Sequence, residues 1–278
     1  MTLGPDPAAT IDRIGARLAE LPGLVGIVLG GSRARGRERP DSDIDIGLYY
    51  DSRERPPFSS VLDAAKELDD HGRPAGHGRY GAWGPWIDGG VWLTVDGYRT
   101  DFLLRDFTRV GEVLRDAASG VVTTHYQPGH PHGFVSTIYA GEVSHNVSLH
   151  DPHGALAELR TLVEPYPPAL LRAVVAQFGW EATFSLDNAL SPARRGDLHQ
   201  VTGLLHRALA CMNQVVFARN GRYVLNEKGA LHEADAMDDR PVDYRIRAEA
   251  ALGGLSGDAG VLEAAVRALR EIRDELPG

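Results

Sequence analysis

The run Leu24-Val25-Gly26-Ile27-Val28-Leu29-Gly30-Gly31-Ser32 is followed, after ten intervening residues, by Asp43-Ile44-Asp45-Ile46-Gly47-Leu48. Its first six residues are apolar and end in glycines, the pattern of a buried strand running into a tight turn. In the second run Asp43, Asp45 and Gly47 alternate with Ile44, Ile46 and Leu48. A strand there buries its isoleucines and presents both carboxylates on the opposite face. Two carboxylates side by side repel unless a cation lies between them, which points to a divalent metal held by hard oxygen ligands. The glycines beside Ser32 let backbone approach a phosphate closely, with amides and a hydroxyl as donors. One part of this stretch suits a triphosphate, and the other the metal that neutralises it.

The spacing G-S-x10-D-x-D, carried by Gly31, Ser32, Asp43 and Asp45, resembles the nucleotidyltransferase superfamily that includes DNA polymerase beta and the antibiotic nucleotidyltransferases. The resemblance implies an α/β (α+β) fold, with an N-terminal mixed-sheet catalytic domain (1–150) followed by a C-terminal helical bundle (151–278) that binds substrate and nucleotide. It also implies a third carboxylate on a strand beside the D-x-D pair. Val91 to Val95 reads as a strand, Asp96-Gly97 as a hairpin turn, and Arg99 to Arg105 as the returning strand. On that strand Asp101 shares a face with Leu103 and Arg105, so Asp101 is the expected third ligand. Asp96 is the competitor, but an aspartate before a turn glycine has a sufficient local reason to be there.

Around these motifs the chain reads as follows. Thr10 is a candidate cap for a helix bearing Ile11, Ile14, Leu18 and Leu21. Arg33, Arg35, Arg37 and Arg39 crowd the link to Asp41; Arg33 and Arg35 are candidates to pair with phosphate oxygens, and a solvated basic turn is the alternative. A glycine-rich segment, 71–90, carries Tyr80, Trp83 and Trp86, aromatics that either stack on a base or pack beneath the segment. Between His125 and His153 lie His130, His132, His145 and His150; their spacings match no helical or finger pattern, and with one cysteine in the chain they argue against structural zinc. That segment is read as a connection.

From Gly154 onward strand alternation disappears. Pro168 opens a long helix, and a second runs from about Asp197 to Asn220. On the second, His199, His206, Asn213 and Asn220 recur every seven residues and are read as its wet side. Cys211 among apolar neighbours reads as core. The chain has two lysines, Lys66 and Lys228, against many arginines. A lysine kept against that bias suits a compact point charge for phosphate. Antibiotic nucleotidyltransferases place a lysine and a tyrosine of their helical domain on the triphosphate, and Tyr223 and Lys228 resemble that pair. The same resemblance makes Glu181 an alternative base to Asp101.

With 278 residues the chain can bury one large core or two smaller ones. No apolar run approaches the roughly 20 residues that cross a bilayer. Residues 1–10 lack the basic and apolar regions of a secretory signal, and a single cysteine suits a reducing, cytoplasmic compartment. The net charge of −9 argues against nonspecific binding to nucleic acid and is compatible with a cationic small substrate. The expected reaction is transfer of a nucleoside monophosphate, AMP from ATP above all, to a hydroxyl of a small molecule. The acceptor is expected between the two domains, with Mg²⁺ as cofactor and an aminoglycoside-type antibiotic as one acceptor. A catalytically silent nucleotide-binding or toxin–antitoxin protein, and a transferase acting on tRNA or protein, are the alternatives.

Overall fold

The computed structural model describes residues 6–276. Residues 1–5, half of the stretch tested for a targeting signal, lie outside them. The chain forms two compact units: 1–115 with 142–164, and 116–141 with 165–278. Against the division expected at residue 150, the units interleave. The reason is a strand in the segment expected to be a connection, which returns the chain to the first unit.

The first unit opens with α1 (Pro7–Ala19), capped by the Asp6 carboxylate, which accepts from Ala8 N at 3.1 Å. Thr10 is therefore not the cap; it lies inside α1 and donates its hydroxyl proton to Asp96 at 2.8 Å. Next come β1 (Leu24–Leu29), α2 (Gly31–Ala34), β2 (Ile44–Tyr50), α3 (Phe58–Leu68), β3 (Gly76–Gly78), β4 (Gly90–Val95), β5 (Tyr98–Asp106) and α4 (Phe107–Ser119). The chain then passes through β6 (Thr124–His125), β7 (Phe134–Val135) and α5 (Thr137–His145), and completes the first unit with β8 (Val147–His150) and α6 (Ala155–Thr161). The six-stranded mixed sheet has the order β3-β4-β5-β2-β1-β8. β2 and β5 are parallel, and the other neighbours are antiparallel.

Alternation along the central strands decides which face is covered. Ile44, Ile46, Leu48, Phe102 and Leu104 are buried with Ile14 and Leu18 of α1 and Val61 and Ala65 of α3. The odd-numbered positions of β2 and β5 therefore face the other way, and that is the face that carries the acids. The segment 71–90 also packs. The Tyr80 hydroxyl donates to Pro56 O at 2.8 Å, and its ring meets Tyr50 edge-on at 4.7 Å. Trp83 stacks on Trp92 at 4.8 Å, and Trp86 is buried with the Arg109 guanidinium over its ring.

The second unit adds α7 (Pro168–Arg194), α8 (Leu198–Arg219), α9 (Ala230–Asp235), α10 (Tyr244–Gly253) and α11 (Ala259–Asp274) to β6 and β7. α7 packs along α8, and α11 lies against α7. From Ala208 to Ala218 every residue of α8 is buried. A helix enclosed on all sides has no wet side. Asn213 accordingly lies inside and accepts from the Tyr244 hydroxyl at 2.9 Å, which corrects the reading of the polar stripe at that position, while His199 is exposed. Cys211 is fully buried, as core. Among the described residues no helix is long and apolar enough to cross a membrane.

Candidate active site

The acidic face of the sheet is built by register. β2 and β5 run parallel with Asp45 beside Asp101 and Ile46 beside Phe102, so one alternation serves both strands. Asp43 precedes β2 by one residue and shares the side of Asp45. Burial, followed by the negative charges of Asp45 and Asp43, pushes the Asp101 carboxyl up to about 6. Asp101 is thus in the electrostatic field of both other acids.

The glycine turn is locked to the same place. Gly30 N donates to Asp45 O at 2.8 Å. Gly31 takes a φ of +63°, in the left-handed region, and a Cβ on it would stand 1.8 Å from Asp45 Oδ2. Only glycine gives the backbone that approach. Ser32 follows in α2.

The three carboxylates are not gathered on a common point. Among the described residues, the group of three donor side chains with atoms within 4.8 Å of one another lies elsewhere, in the second unit. Asp43 is drawn to Arg99, whose Nε is 2.7 Å from Asp43 Oδ1 but off the line that a hydrogen bond requires. The Arg99 guanidinium compensates part of the negative charge on this face. A set of three carboxylates, one with its pKa raised by burial and then by the other two, has the oxygen chemistry that suits Mg²⁺. On this test the residues fit the metal.

The remaining candidates are placed as follows. The Arg33 Nε donates to Asp43 O at 3.1 Å and its Nη2 to Ser42 O at 2.6 Å, with the guanidinium 5.3 Å from the centre of the Tyr98 ring. Arg33 braces the loop that delivers Asp43. Arg35 ends α2. Asp96 accepts from Thr10 and pairs with Arg13 at 2.6 Å; the Arg13 interaction, more than any other, holds its carboxyl below the usual range. It is a turn anchor on the edge of the hairpin.

In the second unit Lys228 is exposed, its amide held by Asn226 Oδ1 at 2.8 Å. Tyr223 is buried and stacks on Tyr166 at 4.6 Å, so its ring has a packing task. Glu181, the alternative base, is half-buried and lies 2.5 Å from Arg207.

Two further residues lie beside the acids. Arg99 is one. Trp92 is the other: it stands opposite Asp101 across the β4–β5 pair and is 47% exposed, a flat apolar surface beside the acids. For Trp92 a signal exists, because alternation with buried Val91 and Leu93 turns it outward.

Residues 11–77 match the family model described as "Nucleotidyltransferase domain". The match spans β1, the glycine turn, Asp43 and Asp45, and stops before Asp101. Over those residues the chain matches a nucleotidyltransferase domain, which supports nucleotidyl transfer as its enzyme class. A solved nucleotidyltransferase-like protein from Exiguobacterium sibiricum 255-15 is similar at 11% identity and a TM-score of 0.48, over 97% of this chain and 75% of that one. None of the curated proteins matches the sequence significantly.

Proposed function

We propose that the protein transfers a nucleoside monophosphate from a nucleoside triphosphate, ATP by preference, to a hydroxyl of a small molecule, with release of pyrophosphate. The observation that carries this reading is the contact of the Gly31 turn with Asp45, itself side by side with Asp101.

In this reading Asp43, Asp45 and Asp101 hold Mg²⁺, which when bound neutralises phosphate charge. The Gly31 and Ser32 amides and the Ser32 hydroxyl position the triphosphate, with Arg35 and Lys228 as further cationic partners. The acceptor oxygen forms its bond to the α-phosphorus as the bond to pyrophosphate breaks in line. Asp101, beside the metal-holding pair, receives the hydroxyl proton. Glu181 is the alternative base, but Arg207 already neutralises its carboxylate. Most of the catalysis in such a transfer is positioning and charge compensation. Trp92 offers a stacking face to the base or to a ring of the acceptor. The net charge of −9 favours a cationic acceptor, and aminoglycoside-type antibiotics have both the charge and the hydroxyls.

The test is incubation with each labelled triphosphate, Mg²⁺ and a panel of hydroxyl-bearing antibiotics, followed by mass measurement. A product heavier by one nucleoside monophosphate, with pyrophosphate released, is expected. Pyrophosphate release without nucleotidylated product, or no turnover of any triphosphate with any acceptor, counts against the reading.

A further inference from the structure

The second unit brings together three donors of different chemistry from three separate elements: His132 before β7, Glu181 of α7 and Cys211 of α8. One ligand atom from each lies within 4.8 Å of the other two, and Cys211 Sγ is 3.9 Å from His132 Nε2. We propose that these residues form a binding site for a borderline divalent cation, Zn²⁺ in the first place, distinct in donor chemistry from the all-carboxylate face of the first unit.

The dimensions suit it. Tetrahedral zinc with bonds of about 2.3 Å to sulfur and about 2.0 Å to nitrogen holds those two atoms about 3.5 Å apart. The observed 3.9 Å closes by a few tenths of an ångström, a side-chain adjustment. Imidazole, thiolate and carboxylate together select a borderline ion over Mg²⁺ or Ca²⁺.

The surroundings hold the donors ready. Glu227 accepts from the His132 backbone amide at 2.9 Å and lies 3.3 Å from His130 Nδ1. Burial acts against its charge, yet those donors keep the Glu227 carboxyl below its usual range. The segment bearing His132 is fixed by this clamp, while His132 Nδ1 is buried without a hydrogen-bond partner. Cys211 and Glu181 project from packed helices. Arg207 pairs with Glu181, and a carboxylate with two oxygens accommodates an arginine and a metal together. His132 also lines a cavity of about 140 Å³ shared with His206, Asn213 and Glu227, which leaves space on its side of the cluster.

Spacing could not reveal this site, because its donors lie 49 and 30 residues apart in sequence (132 to 181, 181 to 211). Two consequences follow from its make-up. The bound ion ties α7, α8 and the segment before β7 together, so it stabilises the second unit. Binding also releases the Cys211 proton, so affinity rises with pH.

Because the chain has one cysteine, a thiolate–metal signal can come from Cys211 alone. The full-length protein is stripped with a chelator and titrated with Co²⁺, and its absorption spectrum recorded. One equivalent is expected to bring up a near-ultraviolet sulfur-to-cobalt charge-transfer band with visible ligand-field bands, and Zn²⁺ should abolish both. Cys211→Ser should lose the charge-transfer band, and His132→Gln and Glu181→Gln should each weaken binding by about tenfold or more. Asp45→Asn should leave the band unchanged. Absence of the band in wild-type protein at saturating Co²⁺ overturns the proposal, as does a band that survives Cys211→Ser. If Cys211→Ser does not fold by circular dichroism, the wild-type band and the two glutamine variants still decide.

Discussion

A methyl group on Gly31 would stand 1.8 Å from the Oδ2 of Asp45. The turn that follows β1 and the carboxylate that opens β2 are thus built as one object, and the site depends on an absent side chain.

Gly31→Ala should therefore fail twice. The left-handed φ of +63° costs a non-glycine residue about 1–2 kcal/mol, and the overlap displaces either the turn or Asp45. Urea denaturation should show a loss of at least that size, and nucleotidyl transfer should fall by orders of magnitude. Activity within twofold of wild type would remove the turn from the site.

Asp43→Asn and Asp45→Asn each delete a charge from the acidic face while keeping shape. Both variants should fold, give wild-type circular dichroism, and lose transfer. Wild-type turnover in either contradicts the assignment of these residues to the metal. Calorimetric titration with Mg²⁺ in the presence of a non-hydrolysable triphosphate gives an independent reading, with weaker binding expected.

Asp101 gives a pH dependence. Its folded pKa of about 6 lies above the ordinary aspartate value of 3.8. An acid raised on folding binds its proton more tightly in the folded state, so metal-free stability falls as pH rises from about 4 to about 6 and stays lower above that. Asp101→Asn removes this penalty. In chelator-treated protein at pH 7 it should raise stability by about 1 kcal/mol, allowing for solvent screening at a half-buried group, and flatten the decline. Thermal melts from pH 4 to 8 check this. A variant that is less stable than wild type at pH 7 without metal contradicts burial and like charge as the origin of the shift.

Arg99 pairs with Asp43, one of the expected metal ligands. Arg99→Ala should tighten Mg²⁺ binding by about two- to fivefold at low salt, with the gain fading in high salt, because the pair is exposed and screened. Looser binding in the variant would mean that Arg99 serves the bound nucleotide and does not compete with the metal. Lys228→Ala tests the second cation: reduced triphosphate affinity is expected, and unchanged affinity removes Lys228 from the nucleotide site.

The acidic face is legible in the sequence because it is local. Asp43, Asp45 and Gly47 against Ile44, Ile46 and Leu48 state their own strand and its two sides, and Phe102 and Leu104 do the same for Asp101. Period two needs no partner to be read. Asp96, the competitor of Asp101, anchors its turn through Thr10 and Arg13.

The tertiary structure decides everything that depends on distant partners. Val147–His150 reads as connection because four residues with little hydrophobic contrast become a strand only when β1 offers its free edge. Asn213 reads as wet until the fold closes around α8 and gives it the Tyr244 hydroxyl. Arg33, Arg99 and Glu181 each find an oppositely charged or polar partner that spacing cannot supply. His132, Glu181 and Cys211 meet only because two helices and a clamped segment pack together. Backbone periodicity is written residue by residue, whereas the pairing of long polar side chains is settled by which elements come into contact.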